Sequence, residues 1–143
     1  MSEPADLEGG LVAYLKSIPS VAVLTGSRIF GGELPAAETA SMPRAAIVIK
    51  ASGGVSLTGE SKLEHDTQRV DLFAFGPTPR EAGRIARAAA LALRRLERSV
   101  HAGCLIHWAN AASGSLAGRE PVTEWPRQFQ SFQVMHGLVA IEE

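Results

Sequence analysis

The sequence predicts an α+β fold, with a mainly antiparallel sheet of four or more strands and two main helices packed on one face. Two segments carry apolar residues at helical spacing, and four others carry strand patterns. Their order along the chain is helix, strand, strand, helix, strand, strand. Short connections between consecutive strands favour antiparallel pairing with the helices on one face. With 143 residues, 45% of them apolar and 20% charged, we expect a single domain over 1–143.

The first helix is predicted over 5–18, followed by a largely irregular part of the chain. Apolar residues recur there at helical spacing, and Pro19 ends the pattern. A short turn at 20–24 then leads to a glycine- and proline-rich segment, 27–43. Within that segment only 28–30 has the pattern of a short extended piece.

Four strands are predicted, at 44–52, 64–75, 104–111 and 127–143. The end of the second strand is apolar on both faces, with Phe73 and Phe75 on one of them. Such a strand is covered on both sides. We expect a helix on one side and something else on the other, for which another subunit is a candidate.

The second helix begins at a well-defined turn. Thr78 suits the N-cap, Pro79 the first helical position and Glu81 the third, as in a capping box. One face of the helix is apolar, formed by Ile85, Ala89, Leu93 and Leu96. The opposite face carries six arginines, here called the arginine stripe: Arg80, Arg84, Arg87, Arg94, Arg95 and Arg98. Leu91 is the one large apolar residue inside the stripe.

Composition and charge exclude several classes of protein. A net charge of −1 gives the whole molecule no bias toward nucleic acid or anionic lipid. The acidic start MSEPADLEGG lacks the regions of a signal peptide, and the longest apolar run, 88–93, is too short to cross a bilayer. Cys104 is the only cysteine, which suits a reducing compartment. We therefore expect a cytosolic product without a membrane partner.

The arginine stripe is the strongest candidate for a binding feature. Clustered arginines bind phosphates, but aromatic residues for base stacking are not interleaved with them and the molecule as a whole is not basic. Arginine is also favoured in protein interfaces, and a solvated helix face is the simplest alternative. The sequence favours the solvated or interface interpretation over nucleic-acid binding.

No set of residues predicts catalysis, a metal or a cofactor. His101, Cys104 and His107 have the spacing H-x2-C-x2-H, but on a strand Cys104 and His107 face opposite sides. A nucleophilic Cys104 needs a nearby histidine, and His65, His107 and His136 are expected on other strands or on the wrong face. The glycine-rich segments lack the order of phosphate-binding loops. We expect a protein that is not an enzyme.

Four segments, in this order, resemble the tail-terminator, or tail-completion, proteins of long-tailed bacteriophages and gene transfer agents. They are an amphipathic helix with LVAYLKSIPSVAVLTGSRIFGGELP, the strand in MPRAAIVIKASGG, the strand, turn and helix of RVDLFAFGPTPREAGRIARAAALALRRL, and the closing QFQSFQVMHGLVAIEE. The resemblance covers most of the chain and rests on diffuse patterns.

The resemblance implies a structural protein of the virion, located at the head–tail joint and assembled in the cytoplasm of the bacterial host. Such proteins form a ring, typically a homo-hexamer, that caps the tail tube protein, ends polymerisation and offers a surface to the head-side neck or connector protein. DNA passes through the lumen only as cargo. A head-completion or other neck protein is the alternative within this biology. A small enzyme or a nucleic-acid-binding module is the alternative outside it.

Two groups of residues become candidates for contacts in such a ring. Those for the subunit interface are the six arginines of the stripe with Phe73 and Phe75, although the stripe has two other possible positions, solvent and lumen. Two loops, at 53–63 and 112–124, are candidates for contact with the tube or neck. Their candidate residues are Gly53, Gly54, Leu57, Gly59, Glu60, Lys62, Ser115, Leu116, Arg119 and Glu120.

Overall fold

The computed structural model describes residues 3–142, which form a mixed α+β structure. Four helices are present in this range: α1 (Leu7–Lys16), α2 (Pro19–Thr25), α3 (Ala36–Thr39) and α4 (Pro79–Arg94). The strands in the same range are β1 (Ile29–Gly31), β2 (Ala46–Ala51), β3 (His65–Phe75), β4 (Ser99–His101), β5 (Cys104–Ala111), β6 (Leu116–Arg119) and β7 (Pro126–Gly137).

The strands form one seven-stranded sheet in the order β1-β2-β3-β7-β5-β4, with β6 also paired to β7. Pairing is antiparallel throughout except between β1 and β2. The longest pairing joins β3 to β7, from His65 opposite Gly137 to Phe75 opposite Arg127. Strands β5 and β6 both lie along the other side of β7, so this strand is the centre of the sheet.

The helices begin and end where local chemistry favours it. The Asp6 carboxylate caps α1 by accepting from the Gly9 N–H at 3.0 Å, and the Thr78 hydroxyl caps α4 by accepting from the Glu81 N–H at 3.2 Å. Pro19 stands at the start of α2, where its missing N–H is no loss. No single helix in residues 3–142 is long and apolar enough to cross a membrane, although α1 and α2, bent by 91°, pass the same test as a pair.

The main core lies between the helices and one face of the sheet, here called the helix face. It joins Leu11 and Leu15 of α1 and Ile85 of α4 to the buried residues of the strands, such as Leu72 and Val134. A smaller cluster lies on the opposite, outer face of the sheet around Ala46, Val48 and Phe75. Helices therefore pack on one face of the sheet, and loop residues cover part of the other.

The fold confirms the predicted α+β class and the mainly antiparallel sheet, and it corrects several details. The sheet has more strands than the four that had clear patterns, and α2 and α3 add to the two predicted helices. The short extended piece predicted at 28–30 is β1, which pairs in parallel with β2. Part of the predicted loop 112–124 is β6, because its backbone completes the pairing along β7.

The final strand was predicted too long. It was expected over 127–143, but β7 ends at Gly137. Beyond it, the Leu138 N–H donates to the Glu64 carbonyl and the Ala140 N–H to the Glu3 carbonyl, at 2.9 and 2.8 Å. The first bond continues beside β3, and the second joins the start of the chain, so the regular pairing with β3 ends at Gly137. The last predicted residue, Glu143, lies outside the described residues.

Candidate interaction surfaces

All six arginines of the stripe are exposed, while the apolar face of α4 is buried. The only ion pair of the stripe within the described residues joins Arg84 to Glu81, with 4.0 Å between nitrogen and oxygen. Both side chains are well exposed, so solvent screens this pair and it contributes little to stability. The predicted division of the helix into an apolar and an arginine-rich face is therefore confirmed, and the arginines are available to a partner.

Two of these arginines border a groove at the edge of the sheet. It has a volume of about 420 Å³ and lies between α4, the end of β5 and the middle of β7. Its lining is mainly apolar or small, with Leu91 46% exposed. The lining residues are Arg87, Ala90, Leu91, Arg94, Ala109, Asn110, Ala111, Gln130 and Phe132. Arg80, Arg84, Arg95 and Arg98 are not part of this lining.

The groove lies beside an open part of the sheet edge. Strand β4 pairs with β5 only at Cys104–Ile106. Beyond Ile106, no strand of the described chain pairs with the outer edge of β5. An unpaired edge offers backbone donors and acceptors to a partner. This part of the surface therefore combines an apolar hollow, two exposed cations and unpaired backbone.

The two aromatic residues proposed for an interface differ in accessibility. Phe75 is only 6% exposed and packs against Trp125 of the same chain, with ring centroids 6.3 Å apart. Phe73 is half-buried beside Phe129, and the Arg127 guanidinium lies 4.9 Å from its ring centroid. Phe73, Phe129 and Arg127 belong to the lining of a second, shallower hollow of about 270 Å³ on the outer face. Phe73 is thus the more accessible member of the pair.

Loop 53–63 is attached to β3 by a set of hydrogen bonds. The Asp66 carboxylate accepts from the Ser56 hydroxyl and from the Thr58 N–H, and these bonds hold the pKa of Asp66 well below its usual range. Leu57 remains 66% exposed. The other predicted contact residues of the loop, Gly53, Gly54, Gly59, Glu60 and Lys62, are exposed as well. The loop thus presents an accessible surface on a fixed base.

The four candidates from 112–124 lie on or beside β6. The Ser115 hydroxyl accepts from the Gln128 amide at 2.7 Å, and Leu116 is exposed on the outer face. The Arg119 guanidinium donates to the Glu124 carbonyl at 2.9 Å. The Glu120 carboxylate accepts from the Thr123 hydroxyl and from two backbone N–H groups of the same turn, which lowers the pKa of Glu120. This end of the sheet is therefore an ordered turn.

The structure brings Cys104 closer to a histidine than the sequence predicts. His136 lies on another strand, β7, as expected, but the pairing of β5 with β7 brings the Cys104 sulfur and His136 Nδ1 to 4.0 Å from each other on the helix face. Both residues are buried, and burial, with the charge of Asp6 second, raises the pKa of Cys104 to about 11. His136 Nδ1 also lies 2.9 Å from the Gly137 carbonyl oxygen, to which its N–H donates. The thiol is thus held protonated, which is the unreactive form.

A contact between two histidines was not predicted. His65 Nδ1 and His107 Nε2 are 3.0 Å apart on the outer face, although the residues lie on β3 and β5. The register of β5 shifts between Ile106 and Trp108, which places His107 at an irregularity. No spacing in the sequence signals this pair, because it depends on the strand order. Within residues 3–142, no group of three or more His, Cys, Asp or Glu residues has the geometry of a metal site.

Comparison with known proteins supports the fold. No family model matches the chain, and no curated protein matches it. A solved structure described as the virion of a native gene transfer agent particle contains a chain of similar fold, with a TM-score of 0.65 and 14% sequence identity. The similarity covers 92% of this chain and 94% of that one. It extends over nearly the whole of both chains, so the architecture is shared as a unit.

Proposed function

We propose that this protein is a structural component of a phage-like virion that caps the tail tube as a ring. In this role it ends polymerisation of the tube and provides the surface on which the head-side neck docks. The observation that carries the proposal is the shared fold over 92% of the chain with a component of the gene transfer agent virion. The four sequence segments that resemble tail terminators point independently to the same assembly.

The surface chemistry agrees with a role in assembly. The arginine stripe is exposed along α4, and the sheet has an unpaired edge beside it. Exposed apolar residues, including Leu57 and Leu116, lie on loop 53–63 and on β6. A ring subunit needs different contact surfaces toward its two neighbours and toward the layers above and below. We assign the part of the arginine stripe that borders the groove, Arg87 and Arg94, together with Phe73, to contacts between subunits. Loop 53–63 and the turn after β6 are assigned to the tube or neck.

Deleting the gene in a strain that produces the particles tests this function. Negative-stain electron microscopy of the released particles should show tails that are overlong and variable in length, because nothing ends tube growth. Restoring the gene on a plasmid is the control and should restore uniform tails. Tails of normal length beside unattached heads would instead place the protein on the head side of the joint. Fully normal particles would refute a structural role.

A further inference from the structure

The charge of the molecule is divided between α4 and the rest of the chain. Residues 79–98 contain six arginines and two glutamates, Glu81 and Glu97, which gives this segment a net charge of +4. Because the whole chain has a net charge of −1, the remaining residues carry −5. The basic α4 region of one copy therefore attracts an acidic region of a second copy when the two regions face each other.

The groove beside α4 is the most specific receptor site in the basic region. Its lining combines apolar or small residues, such as Leu91, with polar side chains, and Arg87 and Arg94 stand at its border. At about 420 Å³ it is larger than the roughly 150 Å³ cavity that accepts a benzene ring. It therefore has room for aliphatic side chains with carboxylates beside them.

An acidic surface with exposed aliphatic residues lies where the two ends of the chain meet. Pro4 forms a bridge with Val139, the Ala140 N–H donates to the Glu3 carbonyl, and the Leu138 N–H donates to the Glu64 carbonyl. All members of this surface, here called the terminal junction, are exposed: Glu3, Glu64, Leu138, Ile141 and Glu142. Its aliphatic side chains match the apolar part of the groove's lining, around Leu91, and its carboxylates match Arg87 and Arg94.

From this complementarity we propose that the groove of one copy receives the terminal junction of a second copy. The contact is heterologous, because each copy uses a different surface toward each of its two neighbours. Such a contact closes into a ring when the rotation between copies permits. The inference rests on the proposed ring function and names the surfaces that hold the ring together. It also divides the arginine stripe, since Arg87 and Arg94 lie in the contact and Arg80 and Arg84 lie outside it.

The test is sedimentation velocity of the purified full chain over a concentration series at low salt. Arg87→Glu combined with Arg94→Glu should weaken self-association by about 100-fold or more, because like charges then face each other. The matched control is Arg80→Glu combined with Arg84→Glu, which changes the same charge on the same helix outside the groove. It should associate like the wild-type protein. Circular dichroism checks that each variant is folded.

A charge exchange tests the second surface. Glu64→Arg combined with Glu142→Arg should also weaken self-association, and an equimolar mixture of this variant with the Arg87, Arg94 double variant should associate again. Failure of the mixture to associate would overturn the inference. Equal loss in the control variant, or a wild-type protein that stays monomeric at every concentration, would overturn it too. These measurements use purified protein, so their outcome is independent of the tail-length test of the proposed function.

Discussion

Replacing Tyr14 with phenylalanine is expected to destabilise the fold through the end of α4. The Tyr14 hydroxyl donates to the Ala92 carbonyl at 2.5 Å, although the two residues are 78 positions apart. Ala92 lies in the last turn of α4, where carbonyls lack a partner within the helix. The Leu96 N–H, which would serve Ala92 in a longer helix, donates to Leu93 instead. Tyr14 of α1 therefore caps α4 from outside.

The expected cost follows from the burial of this hydrogen bond. Tyr14 is only 7% exposed, and burial raises its pKa, so water has little access to the carbonyl that the variant would leave unpaired. A buried polar group without its partner costs about 1–3 kcal/mol. For a domain of this size, the loss corresponds to a decrease in Tm of about 3–10 °C. The aromatic ring is retained, so packing against the core changes little.

Thermal and urea unfolding of Tyr14→Phe, followed by circular dichroism, measure this cost. The matched control is Thr39→Val, which removes an exposed hydroxyl that donates to the Ala36 carbonyl at 2.7 Å. Water can replace that bond, so we expect a change within about 0.5 kcal/mol. If Tyr14→Phe unfolds within about 0.5 kcal/mol of the wild type, the capping role assigned to the tyrosine is refuted.

Two further predictions concern titratable groups whose pKa is shifted by desolvation. Burial lowers the pKa of both His107 and His136, so the unfolded chain binds more protons than the folded one at mildly acidic pH. The free energy of unfolding should therefore be constant between the ordinary histidine pKa of about 6.5 and about pH 8, where the unfolded thiol begins to titrate, and it should fall as pH drops below about 6.5. Urea titrations at several pH values measure this, and a free energy that rises on acidification would contradict it. The Cys104 thiol, with its pKa raised to about 11, should react with a thiol reagent only on unfolding. Fast labelling of the native protein at neutral pH would show that the burial is incomplete.

The sequence predicts the elements whose own pattern determines them. Strand β5 has the predicted bounds, and the start of α4 is fixed by Thr78 and Pro79 as expected. These elements alternate between buried and exposed positions, or carry a cap, so the signal is local. Strand β6 lacks such a signal, because all four of its residues are exposed and only the backbone of β7 defines it. The contact between His65 and His107 could not be predicted either, because it depends on the order of β3, β7 and β5 in the sheet.

Which arginines of the stripe border a binding groove could not be predicted from the sequence. Helical periodicity places its six arginines together opposite the apolar face, and in that description they are equivalent. The structure separates them, because only Arg87 and Arg94 border the groove at the unpaired edge of β5. That edge exists because β4 is three residues long and covers only the first part of β5. Which arginines lie at the groove therefore depends on the short length of β4, because β4 leaves the rest of β5 unpaired. The sequence of α4 carries no information about that strand.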